Sequence, residues 1–169
     1  MKKFLLSILC LFSIVAAQAD EVTFDFTNPA GLTPAIGDEM FEDAGNDAFA
    51  FNISGTTFTA NGITISTTDG STASRIWKSA KGIYDLRVYK TATMTVTAPS
   101  GATIENITLE GGTVANITAN VGAYDNKVWT GSESEVVFTW DESAKTQKIN
   151  TITVTYSVSG TVATLSKHG

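Results

Sequence analysis

Cysteine and histidine are nearly missing: Cys10 and His168 are the sole examples in 169 residues. Cys10 lies in an apolar N-terminal run, so past that run there is no thiol. Disulfide frameworks and thiol nucleophiles are thereby excluded. His168 stands next to the last residue, a poor place for a general base, because catalysis needs groups held to about 0.5 Å. Zinc sites and Ser-His-Asp triads lack their side chains for the same reason. Proline is scarce at three residues, and charged residues make up only 17%. Bases are the scarcer sign, 11 against 17 acids, for a net charge of −6. Such a chain offers no broad basic face for phosphates, which excludes nucleic acid as a partner.

Long hydrophobic runs are also missing, except at the start. Met1-Lys2-Lys3 is followed by an apolar run from Phe4 to Ala17 and by Ala17-Gln18-Ala19. That order is a charged segment, an apolar segment and a small-residue cleavage site, the layout of a signal peptide. The run is about 14 residues, and a spanning helix needs ~20. Cleavage is expected after Ala19, leaving Asp20 first. Ser7-Ile8-Leu9 lacks the small residue that a lipoprotein signal places before its cysteine. The expectation is a secreted chain, periplasmic or extracellular, with association to the cell surface open and no membrane insertion.

What the sequence holds in quantity is β-branched side chains, 26 threonines among them, which favour pleated, half-buried surfaces. After Ala19 no stretch keeps apolar residues at helical spacing for three turns, and period-two alternation recurs instead. Val22, Phe24 and Phe26 predict a first strand that faces the core. Residues 28–47 read as a polar loop with Asp38, Glu39, Glu42 and Asp43. Residues 49–53 read as a short strand. Residues 57–67 read as a hairpin on Asn61-Gly62, a dipeptide suited to two successive positive φ angles. Further alternation covers Ala92 to Ala98, Val136 to Trp140 and Ile152 to Val158. Turn signals at this spacing predict an all-β antiparallel sandwich, jelly-roll-like, of roughly eight to ten strands. It spans 20–158, with its first strand near its last and a tail at 159–169. In 103–108 and 149–153 an isoleucine recurs after three residues before alternation resumes, which predicts a β-bulge in each.

Candidate chemistry is sparse. Asp25, Asp85, Glu105 and Glu135 fall on strands and read as outward, solvated positions, so no catalytic pair is expected and the chain is read as a non-enzyme. Asp43-Ala44-Gly45-Asn46-Asp47 only loosely approximates a calcium loop; a solvated loop is the simpler reading and a structural calcium the alternative. No other cofactor is expected.

The segment SRIWKSAKGIYDLRVYK, residues 74–90, holds both arginines of the chain. With Ile76, Tyr84, Leu86 and Val88 inward, Arg75 and Trp77 share the outward face of one strand. Asp85, Arg87 and Tyr89 share that of the next. An aromatic plane beside forked donors and a carboxylate is what a sugar ring needs: its C–H face stacks and its hydroxyls take charged hydrogen bonds. The same residues also pair across strands for stability alone. Trp129, before Thr130-Gly131-Ser132, is either an exposed platform or a core plug; as a platform it joins Arg75, Trp77, Asp85, Arg87 and Tyr89 as a ligand-binding candidate. Trp140 continues the Val136, Phe138 alternation into the core.

The stretches VTFDFT (22–27), SRIWK (74–78), YDLRVYK (84–90), WTGS (129–132), VVFTW (136–140) and INTITVTY (149–156) resemble counterparts in a group of β-rich accessory modules. That group occurs in secreted and surface proteins of Bacteroides- and Prevotella-like bacteria. The resemblance spans residues 21–157 and implies a secreted β-sandwich; the group has no settled activity, so it lends no site residues. The expected function is non-catalytic carbohydrate binding, with a glycan or polysaccharide as partner. The alternative is a structural or adhesion component of the cell envelope that binds other proteins through strand edges.

Overall fold

The computed structural model describes residues 19–159. Cys10, His168 and all of the expected signal peptide but Ala19 lie outside the described residues. Fourteen strands run in order: β1 (Ala19–Asp25), β2 (Glu42–Gly45), β3 (Ala48–Asn52), β4 (Thr57–Ala60), β5 (Ile63–Thr67), β6 (Arg75–Lys78), β7 (Tyr84–Val88), β8 (Thr93–Thr97), β9 (Ala102–Thr113), β10 (Ile117–Ala119), β11 (Ala123–Asp125), β12 (Val128–Glu133), β13 (Glu135–Trp140) and β14 (Gln147–Val158). They form two antiparallel sheets, a β-sandwich as the alternation requires. The nine-stranded sheet has the order β11-β12-β9-β14-β7-β6-β3-β2, with β1 also on β14; the five-stranded sheet has the order β10-β13-β8-β5-β4. One edge of β14 is shared end to end: Gln147–Ile149 pair with β7, and Thr151–Ser157 pair with β1. The first strand thus lies against the last.

The pleat sorts side chains by parity. Phe24, Phe26, Ile76, Leu86, Ile107, Ile152 and Val154 point inward from the large sheet, and Phe58, Ile65, Met94, Val96, Phe138 and Trp140 from the small one. Phe26 meets Phe58 edge-on between the sheets, with ring centroids 5.5 Å apart. Asn61 and Gly62 take φ of 50° and 81° and close the β4–β5 hairpin. Both expected bulges are present. Pairing of β9 with β14 skips Glu105 at one shift and Asn150 at another, which keeps Ile104, Ile107, Ile149 and Ile152 all in the core.

Fourteen strands exceed the expected eight to ten; three of the added ones, β2, β10 and β11, are only three or four residues long and lack apolar alternation. Pairing with a neighbour makes them strands, not their own pattern. β2 lies inside the expected 28–47 loop, which also holds 3-10 turns at Pro29–Gly31 and Asp38–Met40. Asp38 fastens this segment to the large sheet: it accepts hydrogen bonds from Tyr84 Oη (2.5 Å) and Lys78 Nζ (2.9 Å). No helix among the described residues is long and apolar enough to cross a membrane.

Candidate functional site

The β6–β7 hairpin carries five of the six candidate residues. Its turn closes through Ser79 and Ile83, with Gly82 at φ 73° supplying the left-handed residue. Upstream, buried Ser74 donates its hydroxyl to the Thr68 carbonyl and its backbone N–H to Asp69 Oδ1, which fixes where β6 begins. Ile76, Leu86 and Val88 are fully buried, so Arg75, Trp77, Asp85, Arg87 and Tyr89 fall on the outward face. In register, Arg75 lies opposite Arg87 and Trp77 opposite Asp85.

The five residues come together, but in a different pairing from the one the spacing suggests. Each arginine stands two residues before an aromatic in sequence, yet each covers the aromatic that follows the other. The Arg87 guanidinium lies 4.0 Å from the Trp77 ring centroid, and that of Arg75 lies 5.3 Å from Tyr89. Residues i and i+2 of a strand stand about 6.5–7 Å apart and side by side, whereas long side chains reach diagonally across a strand pair. Both guanidiniums are also tied back at Nε. Arg87 Nε donates to Asp85 Oδ1 at 2.8 Å, and Arg75 Nε donates to the Ala73 carbonyl at 3.1 Å. The Arg87 and Asp85 side chains are only 18% and 16% exposed. Arg87 therefore occupies a face of the Trp77 indole that a sugar ring would otherwise use. Beside Arg75 a shallow recess of about 260 Å³ is lined by Glu42, Asp43, Ala44, Ala50, Asn52 and Ala73.

Trp129 does not belong to this site. It is fully buried, and its Nε1 donates to the Val121 carbonyl at 2.7 Å. It lies opposite Ile107, on the inward side of β12, so it is a core plug and not a platform. The local reason is a pair of glycines: a Cβ on Gly122 would come within 2.5 Å of the indole Nε1, and one on Gly131 within 2.5 Å of Cζ2. Trp140, 1% exposed, is in the core as its alternation predicts.

The stretch weighed for calcium is a tight hairpin. Residues 42–48 form a hairpin in which Asp43 Oδ1 accepts the Gly45 N–H at 2.7 Å and Asn46 and Asp47 take φ of 55° and 58°. Among the described residues no three side chains of metal-ligating type converge. The remaining strand acids stand apart from one another: Asp25 caps Thr27, Glu105 is exposed in its bulge, and Glu135 accepts from Thr97 on the small sheet.

Sequence reasoning missed Lys148. It lies 61 positions from Arg87 in the chain, yet the β14–β7 pairing sets the two directly opposite one another. The signal for it is Gly111, where a Cβ would run into the Lys148 carbonyl. Only a glycine on β9 lets the irregular start of β14 approach. Comparison with known proteins gives no matching family, no similar curated protein and no similar solved structure.

Proposed function

We propose that this chain is a secreted, non-catalytic carbohydrate-binding β-sandwich that meets its glycan on the outward face of β6 and β7. The observation that carries the reading is the Arg75–Tyr89 and Arg87–Trp77 lattice, two locked guanidiniums on aromatic planes beside a recess with Glu42 and Asn52. A sugar offers hydroxyls in both donor and acceptor roles, and this face supplies both. In this reading the sugar stacks on Tyr89, over which the Arg75 guanidinium stands off at 5.3 Å, and Trp77, covered at 4.0 Å, works from behind Arg87. Covering roughly 100 Å² of apolar area contributes about 2.5 kcal/mol at ~25 cal/mol/Å². A millimolar complex needs about 4 kcal/mol, so the guanidinium hydrogen bonds are required as well. Weak single-site binding, strengthened by multivalent display, is the expected behaviour.

The rival reading, adhesion through strand edges, has less to work with. The terminal strands β2, β4, β10 and β11 are three or four residues long. The longer edge strand, β1, carries Asp20, Glu21 and Asp25. Short and charged edges resist added strands. A glycan array, run with and without calcium, tests the proposal. Binding to at least one glycan, weakened several-fold by Tyr89→Ala at unchanged melting temperature, supports it. An empty array, or a bound glycan untouched by both Tyr89→Ala and Arg75→Ala, sinks it.

A further inference from the structure

Across β6, β7 and β14 the positions of Arg75, Arg87 and Lys148 stand opposite one another in one row of the outward face, from which the two guanidiniums swing to opposite sides, Arg75 toward Tyr89 and Arg87 toward Trp77. Neighbouring strands lie about 4.8 Å apart, and like charges placed opposite one another destabilise a sheet. The row is built in a chain with 11 bases and 17 acids, where three aligned cations are conspicuous. Asp85 compensates Arg87. Among the described residues no carboxylate lies within ion-pair distance of Arg75 or Lys148.

Both guanidiniums are held by the same device. An aromatic ring supports the plane and Nε–H is tied back, to Ala73 in one case and to Asp85 in the other. Among the described residues no terminal Nη of either arginine has a hydrogen-bond acceptor. What remains is two pre-set, half-buried forks, one on either side of the row, with Lys148 exposed at the row's end. A planar carboxylate matches such a fork with two parallel hydrogen bonds, and little side-chain entropy is left to lose. The acids Glu42 and Asp43 line the recess on the β2 side of Arg75. An anion is therefore steered along the row toward Lys148, away from the recess.

Resting on the carbohydrate reading, we infer that the glycan is acidic, a uronic-acid polysaccharide whose carboxylates seat on the Arg75–Arg87–Lys148 row. Trp77 is then a positioning residue that holds the Arg87 fork. The test is titration calorimetry on the full chain with an oligogalacturonate, a neutral galactose oligomer of the same length, a sulfated dextran and single-stranded DNA, each at low and high salt. The expected result is oligogalacturonate binding that weakens about tenfold at high salt. Arg75→Gln should weaken it about tenfold, and the exposed Lys148→Ala several-fold at an unchanged melting temperature. Neutral oligomer bound as tightly and without salt dependence overturns the acidic ligand while leaving the carbohydrate reading intact. Equal binding of sulfated dextran or DNA overturns it as well, since the forks would then not select a carboxylate. Binding of none of these probes, together with an empty glycan array, overturns both readings.

Discussion

Trp77 and Trp129 belong to the same nine-stranded sheet, on opposite sides of its pleat, and their surroundings differ in kind. Around Trp129 everything closes in: Ile107 alongside, the Val121 carbonyl on its nitrogen, and two glycines whose missing side chains make room for the indole. Around Trp77 the neighbours are charged and the ring is a support for Arg87. One tryptophan stabilises the sandwich by filling it. The other shapes what the sandwich presents. The lesson is that an aromatic in a β protein is assigned by its pleat side and by nearby glycines, and its residue type is silent on the matter.

Removing the filled side should do the most damage. Trp129→Ala should cost about 3–5 kcal/mol, as should Phe24→Ala in β1, each a large part of a domain's stability. Denaturant unfolding measures both, and a loss under about 1 kcal/mol would erase the contrast between the two tryptophans. Gly131→Ala comes next, at about 1–3 kcal/mol, because its methyl group would collide with a ring that has no room to retreat. Gly122→Ala adds the strain of a φ of 68° to a similar collision. Trp77→Ala should cost about 1 kcal/mol or less in stability. On the carbohydrate-binding proposal its effect falls on binding, which loosening Arg87 should weaken several-fold.

The smallest expected effect concerns the 28–41 segment. The hydrogen bond from Tyr84, then that from Lys78, holds the Asp38 carboxyl below its ordinary value of 3.8. The hydrogen bond to Asp38 in turn raises Lys78 above 10.5. A depressed carboxylate stabilises the fold above its unfolded value and loses that contribution as pH falls through its folded value. Loosening of the segment is therefore expected at pH below about 3.8, and again above about 10.5 as Lys78 deprotonates. Amide hydrogen exchange over residues 28–41 reads it. Loosening already at pH 5 would show that Asp38 is not the fastening.

The strands with strong alternation were legible from the sequence, and so were the Asn61-Gly62 turn and both bulges, because each rests on local chemistry. The outward set Arg75, Trp77, Asp85, Arg87 and Tyr89 was legible for the same reason: parity within two strands fixed it. Which arginine covers which ring was not, since that depends on register between strands. Lys148 was beyond reach because a long-range pairing places it. Trp129 turned on two glycines, one of them seven residues away, whose meaning appears only when β11 folds back on β12.

The shared edge of β14 also sets an order of assembly. Among the described residues β14 is the last strand and an interior one, gripping β9 on one side and β7 and β1 on the other. The hydroxyl contact between Thr23 and Thr153, at 3.0 Å, closes a loop of 130 residues. A chain delivered N-terminus first thus holds three strands without their common partner until residue 158 arrives. Such distant pairings make folding slow and leave edges open in the meantime. Until β14 is in place the edges of β1, β7 and β9 that it will fill stay open, so closure of the large sheet waits on residues 147–158.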